Sequence, residues 1–494
     1  MIFCGTARFR YRLRREDDEM KTIEMLIGGA YVSGESTLPV CHKATGEQIA
    51  AICTAGEAEV RAAADAAERA FREVKLSPYE RYEILMRAAN LMRERREEFA
   101  EALSAEAGKP IRDARGEIDR AYQTLILSAE EAKRLRGDTV PIAGAPGCAG
   151  RMAFTIRRPL GVVCAITPFN FPVNLAAHKI GPALAAGNTV IYKPASATPL
   201  TAALLCDVFR EAGLPAGCLN LIYGEGGKVG RLLTADERIR MFSFTGSVPV
   251  GKVLHEAVGF RRISLELGSN SANIVHEDVA DVAWAAEHCA RHAFVNAGQV
   301  CISCQRVYAA RSIYEEFCAA AVEAARNFKG GDLMDVHTQI GPMISVREAE
   351  RIEAWVEEAA SAGARILTGG QRTGAFYEPT VLTDVTPAMK VVSEETFAPV
   401  VSIIPYDTIE EAVAAVNDTR YGLQAGVFTR SLAVANYCAE HLEVGGVIIG
   451  DGATFRMDNM PYGGVKDSGI GREGPAYAIR ELTEEKLIVL NVEG

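Results

Sequence analysis

Between residues 57 and 74, apolar side chains recur at Val60, Ala64, Ala67, Phe71 and Val74, in steps of four, three, four and three, which lines one face of a helix. Ser77-Pro78 follows as a cap with a proline in the first turn. It predicts a second helix that runs until Gly108-Lys109-Pro110 stops it. A third helix fits 112–136 and ends at Gly137. Residues 25–32 read as a short opening strand, so the N-terminal portion is mostly helical. From Gly161 the texture changes. Short runs rich in Val, Ile and Leu, at 161–166, 189–192, 219–223, 241–244, 263–267 and 272–275, alternate with helical spacers. Nearly unbroken apolar strands suit a sheet buried on both faces, and the spacers make it parallel and doubly wound. A second alternating block covers about 290–449, with strands at 307–309, 365–367, 400–404 and 446–449. Two α/β domains are expected. The runs 152–156 and 486–492 read as strands without a sequential partner.

The 494 residues are 48% hydrophobic and 24% charged, the balance of a globular protein with a large core rather than a disordered or disulfide-stapled one. A net charge of −11 with acids and bases interspersed argues against nucleic acid or an anionic membrane as the main partner, while leaving room for a local cationic pocket. No apolar stretch reaches the roughly 18 residues of a membrane span. Residues 1–19 carry Arg8, Arg10, Arg12, Arg14 and Arg15 without an apolar segment. They therefore do not read as a secretory signal. They are expected to be an unstructured or non-native leader before Met20, with an organellar transit peptide as the alternative. The twelve cysteines are scattered, several inside apolar runs such as Val162-Val163-Cys164, as in a reduced, cytoplasmic protein.

Candidate chemistry sits at strand ends. Gly224-Glu225-Gly226-Gly227-Lys228-Val229-Gly230 misses the dinucleotide Gly-x-Gly-x-x-Gly spacing. Phe244-Thr245-Gly246-Ser247 joins a strand to a helix, a suitable place for a dinucleotide phosphate or an ordinary turn. Cys301-x-x-Cys304 has no second Cys-x-x-Cys to complete a four-ligand site, so no metal is expected; a dithiol switch and two buried thiols stay open. Glu266 lies within the apolar strand Ile263-Ser264-Leu265-Glu266-Leu267. Buried there, its pKa would rise toward general-base range; at a sheet edge it would face solvent. Asn170, between Phe169 and Phe171, and Lys193 follow strands at their carboxyl ends, where α/β sites assemble.

Taken together, Pro168-Phe169-Asn170-Phe171-Pro172, residues 193–199, Phe244-Thr245-Gly246-Ser247, Leu265-Glu266-Leu267-Gly268 and residues 298–301 resemble the aldehyde dehydrogenase superfamily. Residues 394–400 (EETFAPV) and 460–474 (MPYGGVKDSGIGREG) are similar to further signatures of that family, in its order. The resemblance implies a dinucleotide-binding domain over 20–139 and 160–265, a catalytic domain over 266–476, and a small β oligomerisation arm over 140–159 and 477–494. It implies Cys301 as the nucleophile on an aldehyde carbon, Asn170 and the Cys301 N–H as oxyanion donors, and Glu266 as the base for the hydrolytic water. Relatives that pass the acyl group to coenzyme A lack that glutamate, so a free carboxylic acid is the expected product.

For the cofactor, NADP or NAD, the resemblance implies Thr167, Pro168, Phe169, Lys193, Ser196, Gly226, Gly230, Phe244, Thr245, Gly246, Ser247, Leu267, Glu395 and Phe397. Ser196 stands where many NAD-specific members carry Glu, which removes a charge that would repel a 2′-phosphate, so NADP should be accepted. For the substrate it implies Arg120, Phe171 and Arg456 along the tunnel. Arginine there suits a phosphate, sulfonate or carboxylate, because its planar fork donates bidentately. Two solvated surface arginines are the plain alternative. The loop around Arg456 looks most like the branch handling lactaldehyde, glyceraldehyde-3-phosphate without phosphorylation, and phosphono- or sulfo-aldehydes. A succinate-semialdehyde dehydrogenase is the runner-up. The stranded runs look like an arm pairing with a neighbouring subunit, giving a dimer or tetramer.

Overall fold

The computed structural model describes residues 22–491, so the expectations about residues 1–19 lie outside the described residues. The amphipathic stretch forms the helix Glu57–Glu73, burying Val60, Ala64 and Ala67. Ser77 caps Pro78–Glu94: its hydroxyl accepts the Glu80 N–H at 3.2 Å, and the Glu80 carboxylate accepts the Ser77 N–H at 2.7 Å. The long second helix expected from the sequence is two, Pro78–Glu94 and Arg96–Ala107. Arg95 leaves helical geometry between them (φ −95°, ψ 17°), and its guanidinium is held by Glu98 and Glu211. Gly108, at φ 73°, closes Arg96–Ala107 in the left-handed conformation. The third helix, Ile111–Ala132, stops one turn short of the expected end. The opening strand is a hairpin, Met25–Ile27 and Ala30–Val32, turned by the positive-φ pair Gly28 and Gly29.

The first sheet has eight strands in the order Gly469–Ile470, Arg262–Glu266, Ile239–Thr245, Val162–Ile166, Thr189–Lys193, Leu219–Leu221, Met25–Ile27 and Ala30–Val32. Its five central strands are parallel. The second sheet has seven: Arg365–Thr368, Thr380–Thr383, Val400–Tyr406, Arg306–Ala310, Ala272–Val275, Gln424–Phe428 and Gly446–Ile449. All its pairings are parallel except that of Arg365–Thr368. Thr380–Thr383 and Gln424–Phe428 are strands the sequence pattern did not single out; the apolar run of the latter is interrupted by Gly426, where a Cβ would meet Asn273 Oδ1 at 2.4 Å.

Two chain paths cross the expected boundaries. Gly469–Ile470 returns to the edge of the first sheet, and helix Pro475–Glu481 packs on Pro172–Ala186, so residues 469–481 side with the first sheet rather than the second. The two orphan runs are each other's partner: Arg151–Pro159 pairs antiparallel with Thr483–Asn491 along their full length, and Thr139–Val140 adds a third strand. The ribbon thus begins at Thr483, not 477. Among the described residues no helix is long and apolar enough to cross a membrane, and the described cysteines are free thiols.

Candidate active site

Val162–Ile166 lies between Thr189–Lys193, which follows it in the chain, and Ile239–Thr245, which comes later on its other side. Strand order reverses there, and open α/β sheets form a ligand crevice at the carboxyl ends beside such a reversal. A cavity of about 840 Å³ occupies it. Pro168, Phe169, Asn170 and Phe171 reach its wall from the first of these strands, Thr245, Gly246 and Ser247 from the other, and Leu267 from Arg262–Glu266. Glu395 and Phe397 face them from the loop before Val400–Tyr406. The Phe244 ring lies so close to Gly246 that a Cβ there would meet it at 2.4 Å. Glu395 accepts the Ser269 N–H at 3.0 Å, burial pushes its carboxyl up to about 7, and Phe397 meets Phe169 edge-on at 5.9 Å.

The crevice fits a dinucleotide. Its volume is that of a small-molecule site, the Thr245 hydroxyl is buried without a partner, and Ser247 opens the helix Val248–Val258 toward it. Several expected cofactor residues do not border it. Thr167 is bound to the Tyr192 hydroxyl at 3.2 Å, and Ser196 to the Gly224 carbonyl at 2.9 Å. Lys193 points to the Pro194 carbonyl at 3.3 Å, its pKa lowered by burial. Phe244 backs the wall, and Gly226 and Gly230 lie on the helix Gly226–Ala235, where a side chain would meet open space.

Cys301, the expected nucleophile, is placed by an unusual turn. In Val295–Gly298, Asn296, Ala297 and Gly298 are all left-handed, with φ of 54°, 54° and 68°. That conformation costs a non-glycine residue about 1–2 kcal/mol. Side-chain amides hold it: Asn296 Nδ2 donates to the carbonyls of Asn170 and Gln299, both at 3.2 Å, and Gln299 Nε2 returns to the Asn296 carbonyl at 3.1 Å. Half-buried Cys301 then meets the cavity with its Sγ 2.8 Å from the Tyr462 hydroxyl. Burial pushes the thiol up to about 11, while Tyr462 and the Arg456 charge act the other way. Cys304 does not join it. That sulfur is fully buried beside Cys289, with Asn273 Nδ2 donating to both at 3.0 and 3.3 Å, so a Cys301–Cys304 dithiol switch is not what the structure builds.

Asn170 donates from Nδ2 to the Gln299 carbonyl at 2.9 Å, one of the amide's two N–H groups. The main-chain carbonyl of Asn170 accepts from Lys109 Nζ at 2.8 Å. Lys109 is fully buried, paired with Glu117 at 2.5 Å, and sits 3.9 Å from the centre of the Phe171 ring. Glu117 in turn accepts the N–H groups of Val173 and Asn174, at 2.9 and 3.2 Å, at the start of Pro172–Ala186. This pair fixes the Asn170 loop, and the sequence reading missed it because both partners lie more than fifty residues from the loop they hold.

Of the two readings left open for Glu266 the structure takes the buried one, yet the residue does not border the cavity. Both its oxygens lack partners, and its carboxyl packs where a Cβ on Gly463 would be 2.9 Å away. Burial and the nearby Glu473 carboxylate push it well above the ordinary value. Glu473, despite its own burial, is held low by Lys179 and Arg456, at 2.8 and 2.9 Å. Arg456 borders the cavity and stacks on Tyr462 at 3.6 Å, with its Nε buried and unpaired. Arg120 also borders the cavity, but both arms of its fork go to Asp458, at 3.1 and 2.8 Å, which also binds His178 and Asn174. Neither arginine is the solvated surface charge of the plain alternative.

Comparison with known proteins agrees with this geometry. The chain belongs to the aldehyde dehydrogenase family, whose pattern it matches over residues 31–488. It is an oxidoreductase acting on aldehydes, with NAD or NADP as cofactor. It is 51% identical over 469 residues to a 3-sulfolactaldehyde dehydrogenase of Priestia aryabhattai, covering 94% of this chain and 98% of that one. It is 40% identical over 472 residues to a lactaldehyde dehydrogenase of Methanococcus maripaludis, covering 94% and 100%. Aldehyde dehydrogenase 21 from Physcomitrella patens, solved with the reaction product succinate, superposes with a TM-score of 0.93 at 38% identity, covering 96% and 99%.

Proposed function

We propose that the chain oxidises a small hydroxylated aldehyde carrying an anionic group, of the sulfolactaldehyde kind, to the free carboxylic acid. The observation that carries this is Arg456: a buried guanidinium at the cavity wall beside Cys301 and Tyr462, with Nε unpaired. Its donors suit a sulfonate, phosphate or carboxylate on the substrate's far end. The 51% relative acts on sulfolactaldehyde by name, and a succinate-semialdehyde role is not favoured beside it.

The chain's own residues supply most of the chemistry. The Cys301 sulfur, once deprotonated, bonds to the aldehyde carbon. The oxygen that gains charge is met by the second N–H of the Asn170 amide and by the backbone N–H of Cys301. A bound nicotinamide supplies the hydride acceptor. The acyl group is then left as a thioester on Cys301, and Glu266 takes a proton from the water that cleaves it. Its raised pKa suits that task, and its carboxyl has to turn from Gly463 toward Cys301 to perform it. Ser196 presents no carboxylate to a 2′-phosphate, which supports use of NADP. The ribbon Arg151–Pro159 with Thr483–Asn491 has a free edge and exposed Met152, Leu487, Val489 and Leu490, which supports a homo-oligomer paired through that arm.

Purified enzyme assayed with sulfonated, phosphorylated, carboxylated and uncharged hydroxyaldehydes, with both coenzymes, tests this reading. We expect kcat/KM at least about tenfold higher for the favoured anionic aldehyde than for lactaldehyde, roughly 1.4 kcal/mol. Free acid should be the product even with coenzyme A present. Acyl-CoA formed faster than acid, or equal efficiency for charged and uncharged aldehydes, overturns it.

A further inference from the structure

Outside the cavity, helix Val282–Phe294 carries His288 and His292 one turn apart on one face, and the loop after Gly446–Ile449 brings Asp451 to both. His288 Nε2 lies 2.6 Å from Asp451 Oδ1, and His292 Nε2 lies 3.9 Å from the same oxygen. One donor atom from each of the three falls within 4.8 Å of the others. Donors about 2.0–2.1 Å from a tetrahedral zinc ion stand about 3.3 Å apart, so small rotamer shifts separate this arrangement from a coordination shell. Trp284 stacks on the outer face of His288 with centroids 4.9 Å apart, and His292 Nδ1 is buried against Gly452 with no partner.

We propose that His288, His292 and Asp451 bind one divalent late-transition cation of the zinc type, with a fourth position open to water. Two imidazoles and one carboxylate select zinc, nickel, cobalt or copper over magnesium and calcium. None of the three residues borders the cavity, and the reaction does not use them. The site nevertheless touches the frame of the nucleophile. The His292 carbonyl accepts the Cys304 N–H at 3.3 Å, the Ser303 hydroxyl at 3.4 Å and the Thr454 hydroxyl at 3.2 Å, and Thr454 also reaches the Ile302 carbonyl at 2.8 Å. A cation here joins the helix that leads into the Cys301 turn to the loop that leads into Arg456, so its binding stabilises the folded arrangement of both.

The test uses the full chain, stripped with a chelator, in a Cys301→Ser background that removes the competing active-site sulfur. Zn²⁺, Ni²⁺ and Mg²⁺ are titrated separately by calorimetry and by intrinsic fluorescence. The chain has only two tryptophans, and Trp284 against His288 makes Ni²⁺ quenching a local reporter. We expect one Zn²⁺ per chain, saturable Ni²⁺ quenching, a Tm raised by Zn²⁺ but not by Mg²⁺, and affinity at least about tenfold weaker in His288→Gln. His288 is partly exposed, so that variant should keep its fold, and Asp451→Asn repeats the test from the loop side. No saturable Zn²⁺ or Ni²⁺ binding below about 100 µM, or binding unchanged in both variants, reduces the cluster to a hydrogen-bonded His–Asp pair and overturns the proposal.

Discussion

Arg120 commits both arms of its fork to Asp458 and is 35% exposed, whereas Arg456 gives one nitrogen to Glu473, is 7% exposed and keeps Nε unpaired. The sequence presented them as equals. Their surroundings separate them by charge. Around Arg120 one cation meets one carboxylate, and His178, whose pKa burial lowers, stays neutral, so the group sums to zero. Around Arg456 two cations, Arg456 and Lys179, share the single carboxylate of Glu473 in a poorly solvated place, where a cation acts strongly on an incoming anion. Nearness to a cavity does not make an arginine an anion site; unspent donors and a shared counter-ion do.

The comparison breaks most decisively by removing each charge in turn. Arg456→Gln should lower kcat/KM for a sulfonated or phosphorylated hydroxyaldehyde by about 100-fold, roughly 2.7 kcal/mol, and Arg120→Gln by about tenfold or less. Lactaldehyde is the uncharged control. Equal losses for both aldehydes would assign Arg456 to the framework alongside Arg120. A smaller effect is expected from Glu473→Gln. The Glu473 carboxylate raises the pKa of Glu266, and without it Lys179 and Arg456 are freed to draw that pKa down further. The acidic limb of the kcat profile, where deacylation is limiting, should therefore move to lower pH; an unmoved limb would separate Glu266 from this cluster. The smallest effect concerns stability. His178 and Arg120 hold Asp458 low against its own burial. A depressed carboxylate contributes stability above its unfolded value of about 3.9 and loses it as pH falls further. Arg120→Gln should cost about 1 kcal/mol at pH 7, given the partial exposure of the pair, and in denaturant titrations the gap to the parent should persist undiminished down to about pH 4, since Asp458 stays ionised in both folded proteins.

How much the sequence disclosed follows the distance over which each feature is encoded. Helix Glu57–Glu73 and the Ser77 cap are local patterns and stand where the spacing puts them. Cys301 and Asn170 were found through motifs, and the crevice they border follows from strand order. What escaped was written across the chain. Tyr462 lies inside a recognised motif, yet its bond to a sulfur 161 positions away has no local signature. Lys109 read only as part of a helix stop and Glu117 drew no notice, yet folding buries both behind the Asn170 loop. The proximity of Cys301 to Cys304 in the chain suggested a pair that the turn geometry separates, giving Cys304 to Cys289 instead. Glu266 was legible as a carboxylate in an apolar strand, but neither its burial nor the way it faces was, because both depend on Gly463 from a returning segment.

The left-handed winding of residues 296–298 also sets limits on how this enzyme can be re-engineered. A Cβ at Gly298 would come within 2.0 Å of the Ala398 carbonyl. Since that is main chain, no rotamer relieves the collision, and the backbone that carries Phe397 would have to shift. Mutant libraries meant to widen substrate scope would do well to leave 296–298 and 397–399 untouched and to draw their diversity from Phe171, Arg120 and Arg456.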